Sequence, residues 1–97
     1  RNMQMQDIAE SLKVLADPAR LQILRELTRN QNEKNLSVCD LAKRLEISQP
    51  NVSHHLKVLK TAGFISCQKD QRFCYYSVNL SSIGGTLNQV MEEIAPS

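Results

Sequence analysis

The chain has 97 residues, 41% of them hydrophobic and 23% charged, with a formal net charge of +2. That length holds one domain, 1–97, around one core, and the composition excludes a disordered protein. No apolar run nears the roughly 18 residues that span a bilayer and nothing reads as a secretion signal, so a cytoplasmic protein is expected.

Ile8, Leu12, Leu15 and Ala16 recur at helical spacing and predict an amphipathic helix over 4–16. Asp17 follows as an N-cap with Pro18 at the first helical position, and Leu21, Leu24 and Leu27 form the stripe of a second helix, 18–29. "NQNEKN" is polar and turn-prone, a loop within the domain. Ser37 caps a third helix, 38–45, with Asp40 three residues on in a near capping box, and Val38, Leu41, Ala42 and Leu45 face inward. Glu46 and Ile47 make a tight turn before Ser48 caps a fourth helix, 49–62. Pro50 is tolerated there because first-turn N–H groups have no intrahelical partner. Val52, Leu56 and Leu59 are its buried stripe, and Gly63 is its C′ residue.

After Gly63 the period changes. "FISCQKDQRFCYYSVNL" is aromatic and β-branched, split by "KDQR", and reads as a β-hairpin over 64–78. Ser81 or Ser82 then caps a last helix, 82–95, striped by Ile83, Leu87, Val90, Met91 and Ile94. Gly84 and Gly85 each cost about 1 kcal/mol relative to Ala, so its first turn is expected to fray.

Two short helices across a three- to four-residue turn make a helix-turn-helix, and the hairpin after them makes it winged. The fold class is mainly α with a β-hairpin wing, in the order α-α-α-α-β-β-α. A major groove admits one helix, N-terminal end first, and the side chains there must carry donors and acceptors. Gln49, Asn51, Ser53 and His54 supply them, Lys57 one turn on suits a phosphate, and Lys69 and Arg72 stand at the wing tip to meet neighbouring backbone. Between Ser37 and Tyr76 the bases Lys43, Arg44, Lys57, Lys60, Lys69 and Arg72 outnumber Asp40, Glu46 and Asp70, which fits a polyanion-facing centre. The plainer reading makes Ser48 a cap and the rest a solvated surface; the wing tips the balance toward DNA. His55 lies at the edge of the apolar stripe and is read as packing, with one ring nitrogen bonded to backbone.

"LKVLADPARLQILREL", "LSVCDLAKRLEISQPNVSHHLKVLKTAGFI" and "YYSVN" together resemble the ArsR/SmtB family of small bacterial and archaeal repressors over nearly the whole chain. The resemblance implies a homodimer joined through the first and last helices, with one recognition helix per subunit on a partly palindromic double-stranded operator. It also implies release from DNA by an inducer. The family's arsenic and cadmium sensors carry "CVCD" where this chain has "SVCD", which leaves Cys39 and puts Ser37 at the other position. Its zinc and nickel sensors use His and acidic residues on the last helix, which here has no His, so that metal site is rejected. The family's wing turn carries Gly where Gln71 stands.

A cytoplasmic setting makes structural disulfides unexpected for Cys39, Cys67 and Cys74. A hairpin turning at Asp70 and Gln71 sets Cys67 opposite Cys74, close enough to oxidise or to chelate a thiophilic ion such as As(III). Cys39 at a helix start would add a third sulfur. The expectation is a repressor with no required cofactor, released by a thiophilic inducer through Cys39, Cys67 and Cys74. The alternatives keep the DNA binding but switch it by oxidising the Cys67 and Cys74 pair, or by no small molecule. In a packing reading, Cys74 is a small core hydrophobe. A thiol enzyme built on Cys39 lacks a substrate cleft and a matching acid or base, so no catalytic residue is expected. A protein-interaction module would lack salt-sensitive duplex binding.

Overall fold

The computed structural model describes residues 2–30 and 36–95. Its elements are α1 (Asn2–Leu15), α2 (Pro18–Arg29), α3 (Val38–Leu45), α4 (Gln49–Thr61), β1 (Ile65–Asp70), β2 (Phe73–Val78) and α5 (Leu80–Ile94). Most of the "NQNEKN" segment, residues 31–35, lies outside the described residues. α1 starts two residues ahead of the expected 4–16, and α4 ends one residue short of 62.

Local hydrogen bonds set the helix ends. The Asp17 carboxylate accepts from the Arg20 backbone N–H (3.2 Å) with Pro18 in the first turn of α2. At α3, Ser37 Oγ accepts from the Asp40 N–H (3.0 Å) and the Asp40 carboxylate accepts from the Ser37 N–H (3.1 Å), a complete capping box with Asp in the role Glu usually takes. The Ser37 N–H, and after it the Ser37 hydroxyl, hold the Asp40 carboxyl below its ordinary value of 3.8. Ser48 Oγ accepts from the Asn51 N–H (3.2 Å) at α4. α4 ends in a Schellman turn: Gly63 takes φ 83°, its N–H reaches Lys60 O, and Phe64 N–H reaches Leu59 O, each at 3.0 Å. α3 ends similarly, with Ile47 N–H on Ala42 O (3.1 Å), but Glu46 occupies the left-handed position at φ 56°.

The core is assembled from α2, α3, α4 and the base of the wing. Ile23, Leu41, Val52, Leu56, Leu59, Phe64 and Ile65 are fully buried, with Leu15, Leu24, Leu27 and Val78 around them. Leu21, expected in the α2 stripe, is instead exposed, and Ile23 takes the inward position. Positions 23, 24 and 27 fall within one helical face, whereas Leu21 lies on its flank beside Leu80, Ile83 and Leu87. Glu26 and Arg44 pair at 3.2 Å and tie α2 to α3.

Two further expectations are corrected. α5 begins at Leu80 with Asn79 as its N-cap residue, not at Ser81 or Ser82. The Asn79 side chain does not cap the helix; its Nδ2 donates to Gly63 O (3.0 Å) and its backbone N–H to Phe64 O (2.9 Å), closing the base of the wing. In the hairpin, Asp70 pairs with Phe73, so the turn residues are Gln71 and Arg72. Gln71 adopts φ 59°, the conformation for which glycine is favoured. Moving the turn by one residue moves each partner by two: Cys67 opposes Tyr76, and Lys69, not Cys67, opposes Cys74. A shift of two preserves the face. Cys67 and Cys74 therefore still share the core-side face, now as diagonal neighbours.

Candidate nucleic-acid interface

α4 carries the site because its two faces differ sharply. Val52, Leu56 and Leu59 point into the core, while Gln49, Asn51, Ser53, His54 and Lys57 are exposed. Three residues, Glu46 to Ser48, separate α3 from α4, so α3 braces α4 from behind. Gln49, Asn51, Ser53 and His54 fall in the N-terminal half of α4, where free N–H groups and the helix dipole favour anions, and Lys57 lies one turn on from Ser53. These amide, hydroxyl, imidazole and ammonium groups supply donors and acceptors together, the chemistry that base edges and phosphates require, and His54 and Lys57 also line the groove between α4 and α1. Lys69 and Arg72 are exposed at the far end of the wing, Arg72 within its two-residue turn.

His55 sits between the two faces, half-buried. Its Nδ1 meets Arg20 Nη1 at 3.1 Å, where a backbone partner was expected. Burial lowers the His55 pKa below its ordinary 6.5, and the Arg20 and His54 charges lower it further against the opposing pull of Asp17. This contact joins residues 35 positions apart, and neither helix's periodicity announces it. An Arg in the first turn of α2 was the available signal.

The cysteines divide. Cys67 and Cys74 are both half-buried, their Cα atoms stand 5.6 Å apart, and their sulfurs are joined as a disulfide. That Cα separation falls in the usual range for such a bond. Cys39 is a free, half-buried thiol in the first turn of α3. The three sulfurs are not brought together as a metal centre: among the described residues, no three His, Cys, Asp or Glu side chains form a group able to hold an ion. A cleft of about 240 Å³ separates Ser37 and Val38 from Arg72, Cys74 and Tyr76, so the wing faces the start of α3. Among the described residues no helix is long and apolar enough to cross a membrane.

The family model described as "Bacterial regulatory protein, arsR family" matches residues 17–66, from the α2 cap to the first strand of the wing. A transcriptional repressor SmtB homolog from Synechocystis sp. is 32% identical over 94 residues, 97% of this chain and 68% of that protein. The arsenical resistance operon repressor of Bacillus subtilis is 36% identical over 80 residues, 82% of this chain and 73% of its own. An ArsR-like transcriptional regulator from Rhodococcus sp. RHA1 has the same fold with a TM-score of 0.74 at 28% identity, covering 93% of this chain and 80% of that one. The chain belongs to the ArsR/SmtB family of winged helix-turn-helix transcriptional repressors, DNA-binding proteins and not enzymes.

Proposed function

We propose that the protein is a homodimeric operator-binding repressor in which Gln49, Asn51, Ser53 and His54 read base edges, Lys57 meets a phosphate, and Lys69 and Arg72 grip flanking backbone. One observation carries this reading: polar residues are exposed along the N-terminal half of a helix whose opposite face is wholly buried. Dimerisation through α1 and α5 is supported by the apolar surface they leave in solvent, with Met91 68% and Ile94 74% exposed. A two-fold dimer would present two α4 helices to a partly palindromic site. Replacing Ser53 and His54 with Ala should abolish selective binding to a duplex enriched by the wild-type chain from a random pool, with the dimer still folded. A double variant that retains wild-type affinity would remove α4 from the role.

The inducer reading rests on the wing thiols. In its reduced form the Cys67 and Cys74 pair offers two sulfurs to a thiophilic species such as As(III), whose third ligand would come from outside the pair. The reading is supported by their shared face and by the similarity to a relative named for arsenical resistance. A second reading, favoured by a Cα separation of 5.6 Å on one face of the wing, is oxidation of the same pair. Two thiols give up two protons and two electrons to a peroxide, yielding the disulfide and two waters. Either event falls on the wing opposite the start of α3, so either can re-aim the wing. Native mass spectrometry of the reduced chain with arsenite, and separately with peroxide, distinguishes them. One arsenic bound with two thiols consumed supports the first, a loss of two mass units supports the second, and freely alkylated thiols under both conditions refute both.

A further inference from the structure

One guanidinium joins three helices. Arg20 Nε donates to Val14 O at the end of α1 (2.7 Å), Nη1 meets His55 Nδ1 on α4 (3.1 Å), and Nη2 lies 3.7 Å from the Asp17 carboxylate that caps α2. The side chain is only 15% exposed, so water competes little for these bonds. The Val14 carbonyl is one of the last-turn acceptors that an α-helix leaves unpaired, and a cation there also suits the helix dipole. Arginine only donates and does not lose its proton. His55 Nδ1 must therefore accept, which places the ring's proton on Nε2 and leaves the imidazole neutral. An imidazolium would point N–H at N–H and set two positive charges against each other.

We propose that Arg20 is a positioning residue for DNA recognition: by holding His55 as the neutral, Nε2-protonated tautomer it locks α4 to the corner formed by α1 and α2. The inference rests on the reading of α4 as the recognition helix. His55 is suited to the task because it separates the two faces of α4. Its ring centroid is 5.7 Å from that of His54, and Ser53 and Lys57 are each two residues away. A half-buried apolar residue would fill the same space, but it would not fix the rotation of α4 through a directional bond. The clamp also links α1, assigned to the dimer interface, to the helix that reads DNA. Elsewhere α1 and α4 are separated by a groove lined by Glu10, Ser11 and Val14 on one side and His54, Lys57 and Val58 on the other. Arg20 bridges these helices at the end of that groove.

The charged and titratable groups acting on His55 are Arg20 and Asp17 at the start of α2 and His54 on its own helix, with Glu10 of α1 across the groove from His54. Protonating His55 must break the Arg20 bond, so acid should unlock α4. The test compares the wild-type chain, Arg20→Met, His55→Asn and Ser53→Ala/His54→Ala on the wild-type-selected duplex between about pH 5 and pH 8. Asparagine carries its amide oxygen on Cγ, where His carries Nδ1, so it can accept from Arg20, and it does not titrate. Arg20→Met should bind the selected duplex at least about tenfold more weakly at neutral pH, the scale of a lost bond to a charged group. His55→Asn should retain most of the wild-type affinity at neutral pH and lose the acid-side weakening. Every other ionisable group is common to the wild type and His55→Asn, so the difference between their profiles isolates His55. Nitrogen-15 spectra of the wild-type ring, which require no variant to fold, should show the proton on Nε2. A proton on Nδ1, identical pH profiles, or wild-type affinity in Arg20→Met would each overturn the clamp. If Ser53→Ala/His54→Ala keeps selective binding, the assignment of α4 falls first and the clamp with it; if only that double variant loses binding, the clamp alone falls.

Discussion

Truncating Ile94 to Ala tests the proposed dimer interface on the most exposed large hydrophobic side chain among the described residues. Ile94 is 74% exposed on the single chain, so most of its surface remains to be buried by a partner. Ile→Ala removes three carbons, worth about 2.4 kcal/mol if fully buried at roughly 0.8 kcal/mol per CH₂. Scaled by that exposure, each copy loses at most about 1.8 kcal/mol, and two-fold symmetry doubles the effect to about 3.6 kcal/mol per dimer. At about 1.4 kcal/mol per decade, the dimer dissociation constant should rise by up to several hundred-fold. Sedimentation equilibrium measures that constant directly. Far-UV circular dichroism should show unchanged helix content, because Ile94 is not part of the buried core. A dissociation constant within about threefold of wild type would mean that this end of α5 does not meet a partner, since even half the computed loss exceeds that factor.

Three further outcomes are expected. Arg72→Ala should weaken binding to all duplexes alike and make the salt dependence shallower by about two units of slope per dimer, one phosphate from each wing; a loss confined to one sequence would contradict a backbone role. Glu46→Gly should stabilise the chain by up to about 1 kcal/mol, raising Tm by roughly 4–8 °C, because the exposed Glu46 sits in a left-handed conformation that L-residues resist. A fall in Tm would show that the Glu46 side chain contributes more than its backbone costs. The Asp40 carboxyl should titrate below 3.8 by NMR, and Ser37→Ala should bring it part of the way back. With its folded-state pKa depressed, the stability it contributes is complete above the ordinary aspartate pKa and fades as pH falls through the folded value. A midpoint unmoved by Ser37→Ala would detach the capping box from the titration.

Local chemistry was open to reading in the sequence. Asp17, Ser37 and Ser48 cap the helices that follow them, and Gly63 ends α4, because each bond involved closes within five residues and depends on short-range geometry alone. The apolar spacing of Val52, Leu56 and Leu59 likewise announced which face of α4 is buried and hence which polar residues face outward. The wing lay at the edge of legibility. Its strands followed from composition, but its register depended on whether Gln71 would accept a positive φ, which spacing does not reveal. The tertiary structure alone decided the rest. It paired Arg20 with His55 across 35 residues, used Asn79 to close the wing instead of to cap α5, and left the α5 stripe without a buried residue. Periodicity reports which residues avoid water, but it does not name the partner they meet, because that choice is made by elements distant in the chain.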